Sequence, residues 1–175
     1  PVLDVSSDVE ACSANLRAIY AGLLEYEQRF GHAPTGAGVA FLAELIASGV
    51  WADTPANRAR LTCPGPGAAP VRADVRYAEP ATLGAADSAY AARDTARCPL
   101  AKFPSGGAEL EPLVACDNAR ALNHDGCMNL LRSDGSVVVL ELARLVERGE
   151  LPPGTRTLAV GPASPLPELT KLAGD

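Results

Sequence analysis

The stretch Asn123 to Leu142, NHDGCMNLLRSDGSVVVLEL, decides how this chain is read. Two apolar runs, Met128 to Leu131 and Val137 to Leu142, are separated by the polar segment Arg132-Ser133-Asp134-Gly135-Ser136. Asp-Gly between two such runs is a strong hairpin signal, because the turn needs a positive φ that Gly tolerates and Asp accepts. A β-hairpin with its turn at Ser133 to Ser136 is therefore expected. Val137-Val138-Val139 is β-branched and suits a pleated, half-buried surface better than a helix. Upstream, Asn123-His124-Asp125-Gly126 is a second turn cluster that bounds the hairpin.

Working outward, Pro112 to Cys116 (PLVAC) reads as a central strand, and Ala143 to Glu150 as one or two helical turns ending near Gly149. Val71 to Tyr77 (VRADVRY) alternates well enough to be read as a strand. At the start of the chain, Ser7-Asp8-Val9-Glu10 has the form of a capping box. Cys12, Leu16, Ile19, Leu23, Tyr26 and Phe30 follow at spacings of three and four, tracing one face of a long amphipathic helix that Gly31 and Pro34 stop. Asn15, Arg17, Glu25 and Gln28 fall on its solvated side. Val39 to Ser48 reads as a second helix burying Phe41, Leu42, Leu45 and Ile46. Residues 1–5 read as a short lead-in. The Pro-rich stretch from Asp53 to Pro70 is expected to be irregular, since Pro lacks the donor that regular structure uses. The fold class is α+β and loop-rich: an N-terminal amphipathic helix on a small antiparallel sheet. A single globular domain over residues 1–151 is expected, followed by an extended Pro-rich tail over 152–175.

Composition excludes several classes. The 175 residues suit one domain. A net charge of −6 with no Lys/Arg block gives nothing to replace the counterions of a nucleic acid. No segment approaches the roughly 18 to 20 apolar residues needed to span a bilayer. With no initiator Met and no signal-peptide pattern at Pro1, the chain is expected to begin after a removed or unseen segment.

The cysteines stand at positions 12, 63, 98, 116 and 127, with no C-x-x-C pair among them. Zinc held by thiolates is not expected from such spacing. Cys63, Cys98, Cys116 and Cys127 lie at loop edges and are candidates for one or two disulfides in an oxidising compartment. Cys12, on the helix's apolar stripe, reads as a buried free thiol acting as a small hydrophobe. A hydrolase would draw on Ser133, Ser136 or Cys127 with His124 and on Asp125 or Asp134. Their clustering is explained by turn chemistry, however, and there is no G-x-S-x-G elbow. No enzymatic activity and no cofactor are expected. Calcium is the one ion that Asp117, Asp125 and Asp134, with Asn118 and Asn123, would suit. His124 is expected to bond a backbone carbonyl across the hairpin.

His124, nine residues, then Asp134-Gly135 resembles the H-x9-DG signature of bacterial proteins related to type IV pilins and to the pseudopilins of type II secretion. His124, Gly126, Asn129, Leu130-Leu131, Asp134-Gly135 and Val137-Val138-Val139 match the family's order of His, glycines, Asn, strand, Asp-Gly and strand. The segment Cys12 to Ile19, with Leu23-Leu24, Tyr26, Gly31 and Pro34, is similar to the family's helix just after its membrane-spanning half. Cys127 stands where a second Gly is usual, and Ser136 where His is frequent. The resemblance implies a pilin-like fold and a non-catalytic structural subunit of a cell-envelope filament or secretion assembly, periplasmic or extracellular. Partners would be other protein subunits, with the membrane reached through an N-terminal helix not present here. The alternative it leaves open is an extracytoplasmic accessory subunit that uses the same scaffold to stabilise a larger membrane complex.

Overall fold

A computed structural model describes residues 7–100, 110–118 and 121–174. The expected lead-in lies outside them. The architecture is α+β: a long N-terminal helix, α1 (Ser7–Phe30), lies against a five-stranded antiparallel sheet. The strands are β1 (Ala91–Arg93), β2 (Pro112–Ala115), β3 (Cys127–Arg132), β4 (Val137–Glu141) and β5 (Leu172–Ala173), in spatial order β4-β3-β2-β1-β5. The described residues also form the shorter α-helices α2 (Val39–Ala47), α3 (Pro55–Arg60) and α4 (Leu142–Glu147), together with short 3-10 helices. No helix of the described residues is long and apolar enough to cross a membrane.

The periodicity of α1 has the expected consequence. Cys12, Leu16, Ile19 and Leu23 have no exposed surface and Tyr26 is buried, so the three-and-four spacing forms one inward stripe. Phe30 departs from it: it is 45% exposed, its ring 4.6 Å from that of Tyr26. Ser7 is already helical rather than capping from outside, and its neighbour Asp8 uses its carboxylate on His124. Phe41, Leu42, Leu45 and Ile46 of α2 are buried as expected.

The hairpin forms where its turn residues require. β3 and β4 pair in antiparallel register from Cys127 with Glu141 to Leu131 with Val137. Between them Gly135 donates its N–H to Arg132 O at 2.9 Å, and Asp134 Oδ1 accepts from Ser136 N at 2.9 Å and from Ser136 Oγ at 2.6 Å. Gly135 has φ 84°, and a Cβ there would stand 2.6 Å from Tyr20 Cε1, so the turn is pressed against α1. Only a residue without a side chain meets both demands.

The stretch 53–70, expected to be irregular, contains α3: Pro55 stands in its first turn, where the N–H it lacks would have no partner, and Thr54 Oγ1 accepts from Asn57 N–H at 3.2 Å. Two further expectations fail. Residues 71–77 form turns, not a strand. Their alternation buries Val75 and Tyr77 while Arg72 reaches Asp87 Oδ1 at 2.6 Å and Tyr77 Oη donates to Asp87 O at 2.6 Å. Alternation reports which side is covered, and a loop laid on a core can satisfy it without any ladder partner.

The tail is the third correction. The extended appendage expected over 152–175 packs on the domain: Leu158, Leu166, Leu169 and Leu172 are buried, and β5 pairs antiparallel with β1. Lys171 Nζ reaches Glu111 Oε1 and Oε2 at 2.9 Å, and Glu111 also pairs with the buried Arg93 at 2.6 Å. Four leucines among the prolines bury enough apolar surface to hold this segment down, so the boundary after residue 151 separates no appendage from a core.

Candidate metal centre

The helix–sheet interface converges at one end on four side chains. Asp8 and Cys12 stand one turn apart on the same face of α1. The CPGPG loop that follows α3 contributes Cys63, the end of β2 leads into Cys116, and the turn before β3 presents His124. Cys12, Cys63, Cys116 and His124 are all buried, and their ligand atoms lie within 4.8 Å of one another. Cys63 Sγ is 3.9 Å from Cys12 Sγ and 3.3 Å from His124 Nε2. Such a Cys3His group could hold a metal ion.

Local chain geometry makes this convergence. Gly65 passes so close to the 122–124 turn that a Cβ would stand 2.3 Å from Asn123 O and 2.9 Å from His124 Cε1. Gly67 then donates its N–H to Asn123 O at 3.0 Å, so the loop lies directly on the turn that carries His124. Asn123 fixes that turn from the other side: its backbone N–H donates to Asp117 Oδ2 at 3.0 Å, and its amide donates to Ala89 O at 3.1 Å and to Cys116 O.

Around the four groups is a ring of hydrogen bonds aimed at them. Gly65 N–H donates to Cys63 Sγ at 3.3 Å and Asn129 N–H to Cys116 Sγ at 3.0 Å. Tyr90 Oη lies 3.8 Å from Cys12 Sγ. His124 Nδ1 is 2.6 Å from Asp8 Oδ2, which fixes the ring and leaves Nε2 facing the sulfurs. The electrostatics agree: hydrogen bonds with Cys116 and Cys63 outweigh burial and hold the Cys12 thiol far below its ordinary range. Burial pushes Cys116 up. At His124 burial opposes the charged form, but the bonds to Cys12, Cys63 and Asp8 outweigh it and hold the imidazole at about 11. At Cys63 the bond with Cys116 lowers the thiol, but the Cys12 contact and burial outweigh it and push it up, so the negative charge rests on Cys12, opposite a cationic His124.

The residues singled out from the sequence fall into place unevenly. The expected bond from His124 to a backbone carbonyl across the hairpin gives way to the Asp8 and Cys63 contacts. Cys12 is more than a small hydrophobe, being one corner of the cluster. All five cysteines are free, so neither disulfide expected among Cys63, Cys98, Cys116 and Cys127 is formed. Cys63 and Cys116 belong to the cluster, while Cys98 and Cys127 stand outside it, half-buried. Gly126 makes its turn with φ 66°, and Asn129 Nδ2 donates to Val9 O at 3.0 Å, tying β3 to the first turn of α1.

The calcium candidates do not converge among the described residues. Asp117 is buried on Asn123 N–H, Asp125 is exposed, and Asp134 holds Ser136 in the hairpin turn. The serines proposed for hydrolysis are engaged elsewhere: Ser133 Oγ accepts from Glu111 N–H at 2.9 Å, and Ser136 Oγ donates to Asp134. Among the described residues neither hydroxyl bonds to His124.

The four-residue cluster escaped the sequence reading because its members lie far apart in the chain, at 12, 63, 116 and 124, with no chelating pair. The available signal was the pairing of Asp8 with Cys12 at i, i+4 on a helix and the glycines of CPGPG, which permit close backbone approach. No family model, curated protein or solved structure matches this chain.

Proposed function

We propose that the chain is a non-catalytic structural subunit, pilin- or pseudopilin-like, of a cell-envelope filament or secretion assembly, acting outside the cytoplasm through contacts with other protein subunits. The observation that carries this reading is where the His-to-Asp-Gly residues are used. His124 is bonded to Asp8, Asn129 to Val9 O, and Gly135 lies against Tyr20, so all three are spent on fastening α1 to the sheet. Residues so employed support a rigid helix-bearing scaffold, and α1 is then a handle by which copies are bundled. An accessory subunit would be favoured by a free tail able to gain order along a partner. Leu158, Leu166, Leu169 and Leu172 pack within the domain instead, which favours the filament or secretion subunit.

The test is imaging of the native envelope assembly with this chain labelled. Repeated copies along a helical polymer are expected. A single copy held by other polypeptides would transfer the reading to the accessory subunit, and a free monomer with no envelope association would overturn both.

A further inference from the structure

We propose that Cys12, Cys63, Cys116 and His124 bind one zinc ion in a closed, four-coordinate structural site that clamps the start of α1 to the sheet. The proposal stands on this geometry and does not depend on the assembly reading.

The distances suit a tetrahedral ion. With Zn–S of about 2.3 Å and Zn–N of about 2.0–2.1 Å, tetrahedral angles place two sulfurs about 3.8 Å apart and a sulfur about 3.6 Å from a nitrogen. The corresponding separations are 3.9 Å for Cys63 and Cys12 and 3.3 Å for Cys63 and His124. Four donor atoms mutually within 4.8 Å enclose a mononuclear site. Three soft thiolates and one imidazole form a donor set suited to zinc, whereas the hard ions calcium and magnesium take oxygen.

The surroundings carry the argument further. A metal-bound imidazole characteristically gives its other N–H to a carboxylate, and here Asp8 occupies that place on Nδ1. Backbone N–H groups of Gly65 and Asn129 point at Cys63 and Cys116, and such donors stabilise the negative charge that metal-bound sulfur retains. Binding requires all three sulfurs as thiolates and His124 as the neutral imidazole coordinating through Nε2, so the protons these four groups carry without metal are released to solvent. All four positions are filled by protein, so no site remains for substrate or activated water, and the ion's role is structural. Each ligand comes from a different segment, and the two longest intervals, 12 to 63 and 63 to 116, are closed by the ion. Closing such loops is where a cross-link removes most freedom from the unfolded chain.

The full chain, purified under reducing conditions with zinc present and then dialysed, is expected to retain one zinc per molecule by elemental analysis. Cobalt supplied in its place is expected to give the intense visible bands of tetrahedral cobalt with thiolate ligands. Cys12→Ser, Cys63→Ser, Cys116→Ser and His124→Ala are each expected to abolish stoichiometric retention. Asp8→Ala leaves all four ligands in place and should weaken zinc binding about 10- to 100-fold while keeping the cobalt spectrum. Should the ligand variants fail to fold, the wild-type stoichiometry and the Asp8→Ala titration still decide. A wild-type chain that folds fully with no retained zinc would overturn the proposal. An intact mass showing two hydrogens lost to a Cys12–Cys63 or Cys63–Cys116 disulfide would do the same.

Discussion

Replacing Gly135 by Ala probes whether the Asp-Gly turn is a fastening between hairpin and helix. Gly135 has φ 84°, and its new Cβ would meet Tyr20 Cε1 at 2.6 Å and Cδ1 at 2.8 Å. The left-handed backbone costs a Cβ-bearing residue about 1–2 kcal/mol. Overpacking against the ring adds about 1–3 kcal/mol. The reduced freedom of the unfolded chain returns about 0.4–1 kcal/mol. Gly135→Ala is therefore expected to destabilise the protein by about 1–4 kcal/mol. In a Tyr20→Ala background the clash is gone and only the backbone cost, less the same offset, remains. The double-mutant cycle, measured by urea unfolding, should then show a favourable coupling of about 1–3 kcal/mol between Gly135 and Tyr20. If Gly135→Ala costs the same in both backgrounds, the turn is not seated on α1 and this reasoning fails.

Arg93→Ala strips Glu111 Oε2, Pro112 O, Cys98 O and Pro99 O of one buried donor, and should cost about 3–5 kcal/mol in the same assay. A change below about 1 kcal/mol would mean that water replaces the guanidinium at these groups. At Glu111 burial works against the charge, but Lys171 and Arg93 outweigh it and hold the carboxyl below its usual value of 4.5. A depressed folded pKa gives stability that is present above the unfolded value and lost as pH falls through the folded one. The deficit of Glu111→Gln relative to wild type should accordingly be full near neutrality and shrink below about pH 4.5; a pH-independent deficit would contradict this. Leu169→Ala, at a site with no exposed surface, should cost about 2–5 kcal/mol, whereas a loosely held tail would register nothing.

Elements whose signals are local were legible in the sequence. The stripe from Cys12 to Tyr26, the Asp134-Gly135 turn and the PLVAC strand each follow from residue spacing and turn chemistry, and each forms as expected. Contacts across long separations were not legible. Val71 to Tyr77 alternates because a core lies beneath it, and the leucines after residue 157 carry no period that announces β5 or its pairing with Ala92 and Arg93. The Cys3His group belongs to the same class. Without a chelating pair in the chain, its four members are visible as one site only after α1, the CPGPG loop and β2 are brought together. His124 was singled out by its motif, but its partners lie on the helix and on loops that spacing could not connect to it.

The most direct measurement of this clamp is X-ray absorption at the zinc edge on the full chain. A four-coordinate shell of three sulfurs at about 2.3 Å and one nitrogen at about 2.0–2.1 Å is expected. A shell of oxygen and nitrogen alone, or one that survives unchanged in His124→Ala, would contradict it.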